Sequence, residues 1–396
     1  MSRYQRTHDG SEQKTTTLEL FYDLVFVFAI TQVSHYLLEH LTWQGAGQAA
    51  LVLLVVWWSW NYTTWVTNEL DPEAIVVRLL LIGLMLASFL MAVAIPEAFG
   101  DRALLFAGAY VAIQVGRHTF LTFAAAAPGT IERARSGRIL TWFLIAAPFW
   151  IAGGLIDGPG RTILWLIALA IDYGGPLCTF WVPGAKRVAP SAWEIEVGHF
   201  AERFQLFIIL ALGESIVVTG ATASKEDLDA ERLAAFAVAF LGTATMWWVY
   251  FNAAAAVAQR RLELSGNRVQ MARDGYTYLH VLMVAGIIVS AVGDELVIAH
   301  PGEVLHGPEV LAIVAGPAIY LFALVLFRLR MAGTLSRKRL AGAVACLLAG
   351  LIGTAISALA LGLLIVAIMV AVIAAEIVAG SRRRARGEPS PLEALT

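Results

Sequence analysis

Four stretches of this sequence place ionisable side chains where nearly every neighbour is apolar. Glu19, Asp23 and Ser34 stand in LELFYDLVFVFAITQVSH. At 100° per residue they fall within about 60° of one another, so one helix face carries a single acidic stripe. Arg117 and His118 interrupt YVAIQVGRHTFL, and Asp172 lies near the middle of LWLIALAIDYGG. The densest stretch is HFAERFQLFIILALGES, with His199, Glu202, Arg203, Glu214 and Ser215. There His199, Arg203 and Glu214 share about 60° of arc, with Glu202 on the flank. Carboxylates and imidazoles set among apolar residues bind protons or cations, and within a bilayer such groups cost about 2.5–3.5 kcal/mol each on insertion scales. They face a polar cavity, an ion pathway or one another.

Arg203 and Glu214 are separated by roughly 16 Å along a helix axis and cannot pair with each other. Each therefore needs a partner from another helix, because an unpaired buried charge is far more costly than a paired one. The economical pairing sets Arg117 against Glu214 or Asp172, and Arg203 against Asp23 or Glu19. A structural alternative stands beside the functional one, since buried ion pairs also lock helices together. Glu19, His199 and Glu202 lie close enough to a membrane interface to be solvated by headgroups or water. Glu214, Asp172 and Arg117 sit deeper and are expected to line a pathway. The aromatic groups Trp57, Trp58, Trp60 and Trp247, Trp248, Tyr250 read as packing and interfacial anchors. His280 reads as a satisfied core residue.

The elements that must position these side chains follow from composition. The 396 residues are 59% hydrophobic and 15% charged, with a mean hydropathy of +0.71, whereas soluble domains are about 45–50% apolar and about 25% charged. The expected class is therefore an all-α polytopic membrane protein with the bilayer as its solvent. Apolar runs of spanning length are expected at 17–38, 46–66, 77–97, 103–124, 138–157, 162–182, 200–222, 233–256, 275–298, 309–328, 339–357 and 360–380. Only Ser357, Ala358 and Leu359 part the last two, which leaves a single kinked helix as the alternative there. The first apolar run is too long for the core of a signal peptide, so no cleaved leader is expected. Cys178 and Cys346 lie in apolar runs and read as small core residues rather than a disulfide framework.

Counting charges on alternate sides sets the expected orientation in the cell (inner) membrane. With both ends in the cytoplasm, only Arg102, Arg161, Lys225 and Arg232 of the 28 Lys and Arg residues fall on the opposite face, and Arg117 and Arg203 fall inside spans. All the others, Lys186, Arg187 and the C-terminal SRRRAR run included, lie on the cytoplasmic side. That run reads as a stop-transfer anchor, with contact to anionic lipid as the sharper alternative.

An internal repeat organises the chain. ELFYDLVFVFAIT from Glu19 parallels ERFQLFIILALGE from Glu202, so that Phe21 matches Phe204 and Thr31 matches Glu214. WWSWNY from Trp57 parallels WWVYFN from Trp247, AIPE parallels AVGD, Arg138 matches Arg339, and Asp172 matches Glu376. The expected organisation is a cytoplasmic tail 1–16, a six-helix repeat 17–182, a basic linker 183–198, a second repeat 199–380 and a basic tail 381–396. Repeats of like orientation pack about an axis along the membrane normal and hold a pathway between them.

LELFYDLVFVFAITQVSH and HFAERFQLFIILALGESIV together resemble the two best-recognised segments of the bacterial low temperature requirement protein A family, over about residues 17–380. That family takes its name from a cold-growth phenotype, and the resemblance implies a polytopic membrane protein. A more distant similarity links Phe21–Thr31 to the F-S-D opening of a potassium channel family, also built from six-helix repeats. By position, this similarity implies that Phe21 and Asp23 belong to a helix-stabilising network and that Ile30 forms a hydrophobic constriction. Tyr22 replaces the motif's serine, Thr17 stands where that family has an arginine, Leu206 replaces the second repeat's aspartate, and Glu214 intrudes where a hydrophobic gate belongs.

The expected function is a channel or transporter for a small cation or proton, lined by the first helices of the two repeats with Asp23 and Glu214 as acidic sites. A membrane-embedded lipid- or quinone-handling enzyme or binding protein is the alternative, with Arg203 and Arg117 toward an anionic headgroup. A sensor or scaffold is a third reading. The sequence has no HExxH, CxxC or Asp-rich box, no Gly-rich phosphate loop and no soluble ATP-binding domain. No cofactor, catalytic residue, metal site or nucleic-acid partner is expected, and a homodimer is left open.

Overall fold

The computed structural model describes residue 4 and residues 14–184, 195–224 and 229–395. Most of the expected linker, including Lys186 and Arg187, lies outside the described residues, as do Arg3, Arg6 and Lys225. The described chain is all-helical. Its first half holds α1 (Thr17–Glu39), α2 (Trp43–Glu69), α3 (Ile75–Ala94), α4 (Ala103–Phe120), α5 (Ile131–Leu155) and α6 (Pro159–Leu177). Then come α7 (Val197–Ala223), α8 (Ala230–Val249), α9 (Ala255–Glu263), α10 (Arg268–Ala272), α11 (His280–Ala299), α12 (Pro308–Ala332), α13 (Arg337–Gly353) and α14 (Ala358–Ala385). A π-turn at Tyr250–Ala254 joins α8 to α9, and another at Arg273–Tyr278 lies between α10 and α11.

Among the described residues, eight helical segments are long and apolar enough to cross a membrane: α1, α3, α5, α7, α8 with α9, α10 with α11, α12 and α14. The four other expected spans fall on helices that are shorter or more polar. α13 has 17 residues, α2 carries Ser59, Asn61, Thr63, Thr64, Thr67 and Asn68, α4 carries Gln114, Arg117 and His118, and α6 carries Arg161 and Asp172. All of these polar residues are buried, so α2, α4 and α6 turn their polar faces inward. Large apolar side chains point outward instead, among them Leu79 and Leu86 of α3 and Leu347, Leu348 and Leu351 of α13. That inversion suits a hydrocarbon surround.

Local signals fix the helix ends. Thr130 caps α5 by accepting from the Arg133 N–H, Asp229 caps α8 by accepting from Arg232, and Ser357 caps α14 by accepting from Ala360. The Ser357 cap settles the question left at the C-terminus: α13 and α14 are separate helices.

The chain divides into two compact units, Met1–Tyr36 with Gly47–Arg203, and Leu37–Ala46 with Phe204–Thr396. The division falls inside α7, whose first two turns belong to the first unit. In the second unit α11 and α12 approach so closely that only glycine fits. A Cβ at Gly316 would stand 2.4 Å from both the backbone N and the Oγ of Ser290, and one at Gly286 would stand 2.7 Å from the backbone N of Tyr320. Since backbone must shift to admit even a methyl group, Gly316→Ala is expected to destabilise the protein by about 1–3 kcal/mol. Thermal unfolding in detergent, read against Gly213→Ala where a Cβ meets nothing within 4 Å, checks it.

Candidate functional site

The acidic stripe of α1 and the charged start of α7 meet inside the first unit. α1 opens with a reciprocal capping box: the Glu19 N–H donates to Thr16 Oγ1 at 3.3 Å, and Glu19 Oε2 accepts from the Thr16 N–H at 2.9 Å. That cap holds the carboxylate in one orientation and turns Oε1 toward α7. There Oε1 lies 2.9 Å from His199 Nε2 and 3.5 Å from Arg203 Nη1. One turn further along α1, Asp23 Oδ1 accepts from Arg203 Nη2 at 2.6 Å and from Trp60 Nε1 of α2 at 2.7 Å. Glu19, Asp23, His199 and Arg203 are all at most 1% exposed.

The hydrogen-bond pattern sets the form of His199. Asn68 Oδ1 of α2 accepts from the Glu196 N–H at 3.0 Å, so its Nδ2 must face the other way. That Nδ2 donates to the Glu196 carbonyl at 3.0 Å and meets His199 Nδ1 at 3.1 Å. Nδ1 is therefore an acceptor, and the imidazole proton sits on Nε2, donated to Glu19. A second proton on Nδ1 would face the Asn68 Nδ2 donor, so the hydrogen bonds here are those of a neutral imidazole. Among these four groups the formal charge is then −1 with both acids ionised and zero with one acid protonated. Asp23 Oδ2 is buried and accepts no hydrogen bond, which makes it the natural seat for that proton, since burial without a partner penalises a charged oxygen most.

Glu202 stands at the rim, accepting from both the N–H and the Oγ1 of Thr15 at 2.9 Å. It ties the segment before α1 to the start of α7.

Arg117 occupies a second buried polar set in the same unit. Its Nη1 donates to Thr63 Oγ1 at 2.9 Å and to the Ser59 carbonyl at 3.2 Å, its Nη2 donates to Gln114 Oε1, and its plane lies 5.4 Å from the Tyr62 ring centre. Tyr22 joins the set through Thr63 at 2.8 Å. The pairing of Arg117 with Glu214 or Asp172 expected from the sequence does not form: among the described residues Arg117 has no carboxylate partner. Uncharged oxygens and an aromatic face solvate it instead. His118 donates from Nδ1 to the Gln114 carbonyl at 3.0 Å and packs on Phe143. Asp172 accepts on Oδ2 from Tyr110 at 2.7 Å and Trp150 at 2.9 Å, while its Oδ1 is buried without a partner.

The expected pairing of Arg203 with Asp23 and Glu19 does form. Ile30 is buried on α1, and Glu214 and Ser215 are buried on the part of α7 that belongs to the second unit. His280 is a satisfied core residue, held by Tyr250 at 2.9 Å and the Gly275 carbonyl at 3.1 Å. Trp57, Trp58 and Trp60 are buried in packing, with Trp58 stacked on Tyr173, whereas Trp247 and Trp248 face outward. Sequence reasoning missed Asn68, Trp60 and Glu196 as members of the site. The T-x-x-E capping box at Thr16 was the one local signal that fixed the attitude of Glu19.

With this geometry in view, the chain's relatives can be placed. The model of the bacterial low temperature requirement A protein family matches residues 14–374. The chain belongs to the LtrA family. An uncharacterized protein of Rhizobium meliloti (strain 1021) is 37% identical over 344 residues, covering 87% of this chain and 81% of its own length. No solved structure matches. The LtrA match takes in every residue of the Glu19–Asp23–His199–Arg203 cluster and both further buried sets, so the whole constellation lies within the family's span.

Proposed function

We propose that this LtrA-family membrane protein is a transporter or channel for protons or a small cation, residing in the cell membrane with both ends in the cytoplasm. The Glu19–Asp23–His199–Arg203 cluster is its exchanging site. The observation that carries the reading is the unpartnered, fully buried Asp23 Oδ2 in a set whose single guanidinium is shared by two acids. A buried group of charges strongly favours neutrality. With His199 neutral, neutrality of these four groups requires a proton on one acid, and its loss is compensated when a monovalent cation arrives. Such a site couples a proton to a cation. Asp172, with one unpartnered oxygen and no ion-pair partner among the described residues, is a second proton seat in the same unit.

The lipid- or quinone-handling alternative draws no comparable support, because both Arg117 Nη atoms are engaged by Ser59, Thr63 and Gln114 and the Arg203 Nη atoms face Glu19 and Asp23.

Reconstituted liposomes test the proposal. Proton flux driven by a monovalent-cation gradient is expected with wild-type protein, with at least a tenfold reduction in Asp23→Asn, which is about 1.4 kcal/mol or more in the barrier. Wild-type flux equal to that of protein-free liposomes would remove the assignment.

A further inference from the structure

The second unit contains a partly open space, lined by the half-buried Asp294, that the proton site does not use. A cavity of about 30 Å³ lies among α8, α11, α12 and α14, lined by Met246, Ser290, Asp294, Ile313, Pro317 and Met369 among others. A space of that size holds one small ion or one or two waters. Asp294 is its single ionisable lining residue. Among the described residues, Asp294 makes no hydrogen bond or ion pair, which is a costly state for a carboxylate inside a membrane-spanning helix.

Two further oxygens belong to residues that line the same space. Ser290 lies one turn before Asp294 on the same face of α11, is 7% exposed, and its Oγ has no hydrogen-bond partner. Pro317 sits inside α12 and has no N–H, so the Ile313 carbonyl four residues earlier loses its helical donor. Ile313 and Pro317 both line the cavity. Gly316 sets this part of α12 directly against Ser290, and Ile313 and Ser290 line the same cavity. A carboxylate, a hydroxyl and an unengaged carbonyl are all hard oxygen donors. Membrane sites for small cations use the same combination of carboxylate and unengaged backbone carbonyls. With one negative charge in the set, a monovalent ion gives a neutral site and a divalent ion does not.

We propose that this cavity is a binding site for a small monovalent cation of sodium's class, held by the Asp294 carboxylate, the Ser290 hydroxyl and the Ile313 carbonyl. The site lies wholly within the second unit and stands independently of the proton site around Asp23.

Thermal unfolding of the full-length protein in detergent tests it, with sodium chloride compared with choline chloride at equal ionic strength. The wild-type midpoint is expected to rise saturably with sodium, because a ligand bound only by the folded state stabilises it. Asp294→Asn should remove most of that rise, leaving only what cation binding at the Asp23 cluster supplies. Pro317→Ala, which restores an N–H donor to the Ile313 carbonyl, and Ser290→Ala should each shift the sodium dependence to about tenfold higher concentration. These two mild substitutions decide the matter if Asp294→Asn fails to fold. Asp23→Asn should keep the sodium effect. An equal response to sodium and choline in the wild type, an undiminished rise in Asp294→Asn, or a rise lost in Asp23→Asn but kept in Asp294→Asn would each overturn the assignment.

Discussion

Arg203→Ala is expected to destabilise the protein by about 3–5 kcal/mol, the range for removing one partner of a buried ion pair. The guanidinium is wholly buried, spans Glu19 and Asp23, and supplies Asp23 with its one ion-pair partner among the described residues. Truncation leaves Glu19 and Asp23 in one buried site without the guanidinium that spans them, so the charge on that acid pair loses its compensation. The origin of the loss can be separated from simple cavity formation. Adding Asp23→Asn to Arg203→Ala leaves one acid where two shared the site while keeping an oxygen for the Trp60 N–H, so the double variant should be more stable than Arg203→Ala alone. Additive losses would assign the effect to packing instead. Thermal or denaturant unfolding in detergent supplies all the measurements.

The repeat expected from the sequence makes a second, differential prediction. Arg339 binds Glu376 through two hydrogen bonds, of 2.8 and 3.1 Å, and donates a third to the Val249 carbonyl at 3.0 Å. Arg339→Ala is therefore expected to cost about 3 kcal/mol. By sequence alignment of the repeats the same two positions in the first half are Arg138 and Asp172. There the acid has turned to Tyr110 and Trp150, and no ion pair with Arg138 forms among the described residues. Arg138 is also buried, but its removal strands no carboxylate, so Arg138→Ala should cost less than Arg339→Ala by about 1 kcal/mol or more. Equal losses at the two arginines would contradict the view that the halves have diverged at this pair.

That divergence shows how far the sequence could be read. The twelve apolar runs find helical counterparts because hydrophobic length is written locally. The Arg203 pairing with Asp23 and Glu19 was legible because a stripe on one helix and a dense patch on another leave few solutions. The partners of Arg117 were not legible. The sequence offered carboxylates as obvious partners, but Thr63, Gln114, the Ser59 carbonyl and the Tyr62 ring together solvate a guanidinium without one, and no spacing rule announces such a set. Asn68 was hidden for a similar reason: its role depends on reading a backbone N–H, a carbonyl and an imidazole at once. Asp294 drew notice only as the end of AVGD, because the cavity it lines is assembled from four helices spread along the sequence.

The central claim is that the Asp23 cluster holds a proton that a cation displaces. Purified protein in weakly buffered detergent, with a pH-sensitive dye, tests it most directly when a monovalent salt is added at constant ionic strength. Wild type and Asp294→Asn should release a proton on addition of the salt, and Asp23→Asn should release none. No release from the wild type, or undiminished release from Asp23→Asn, would contradict the account.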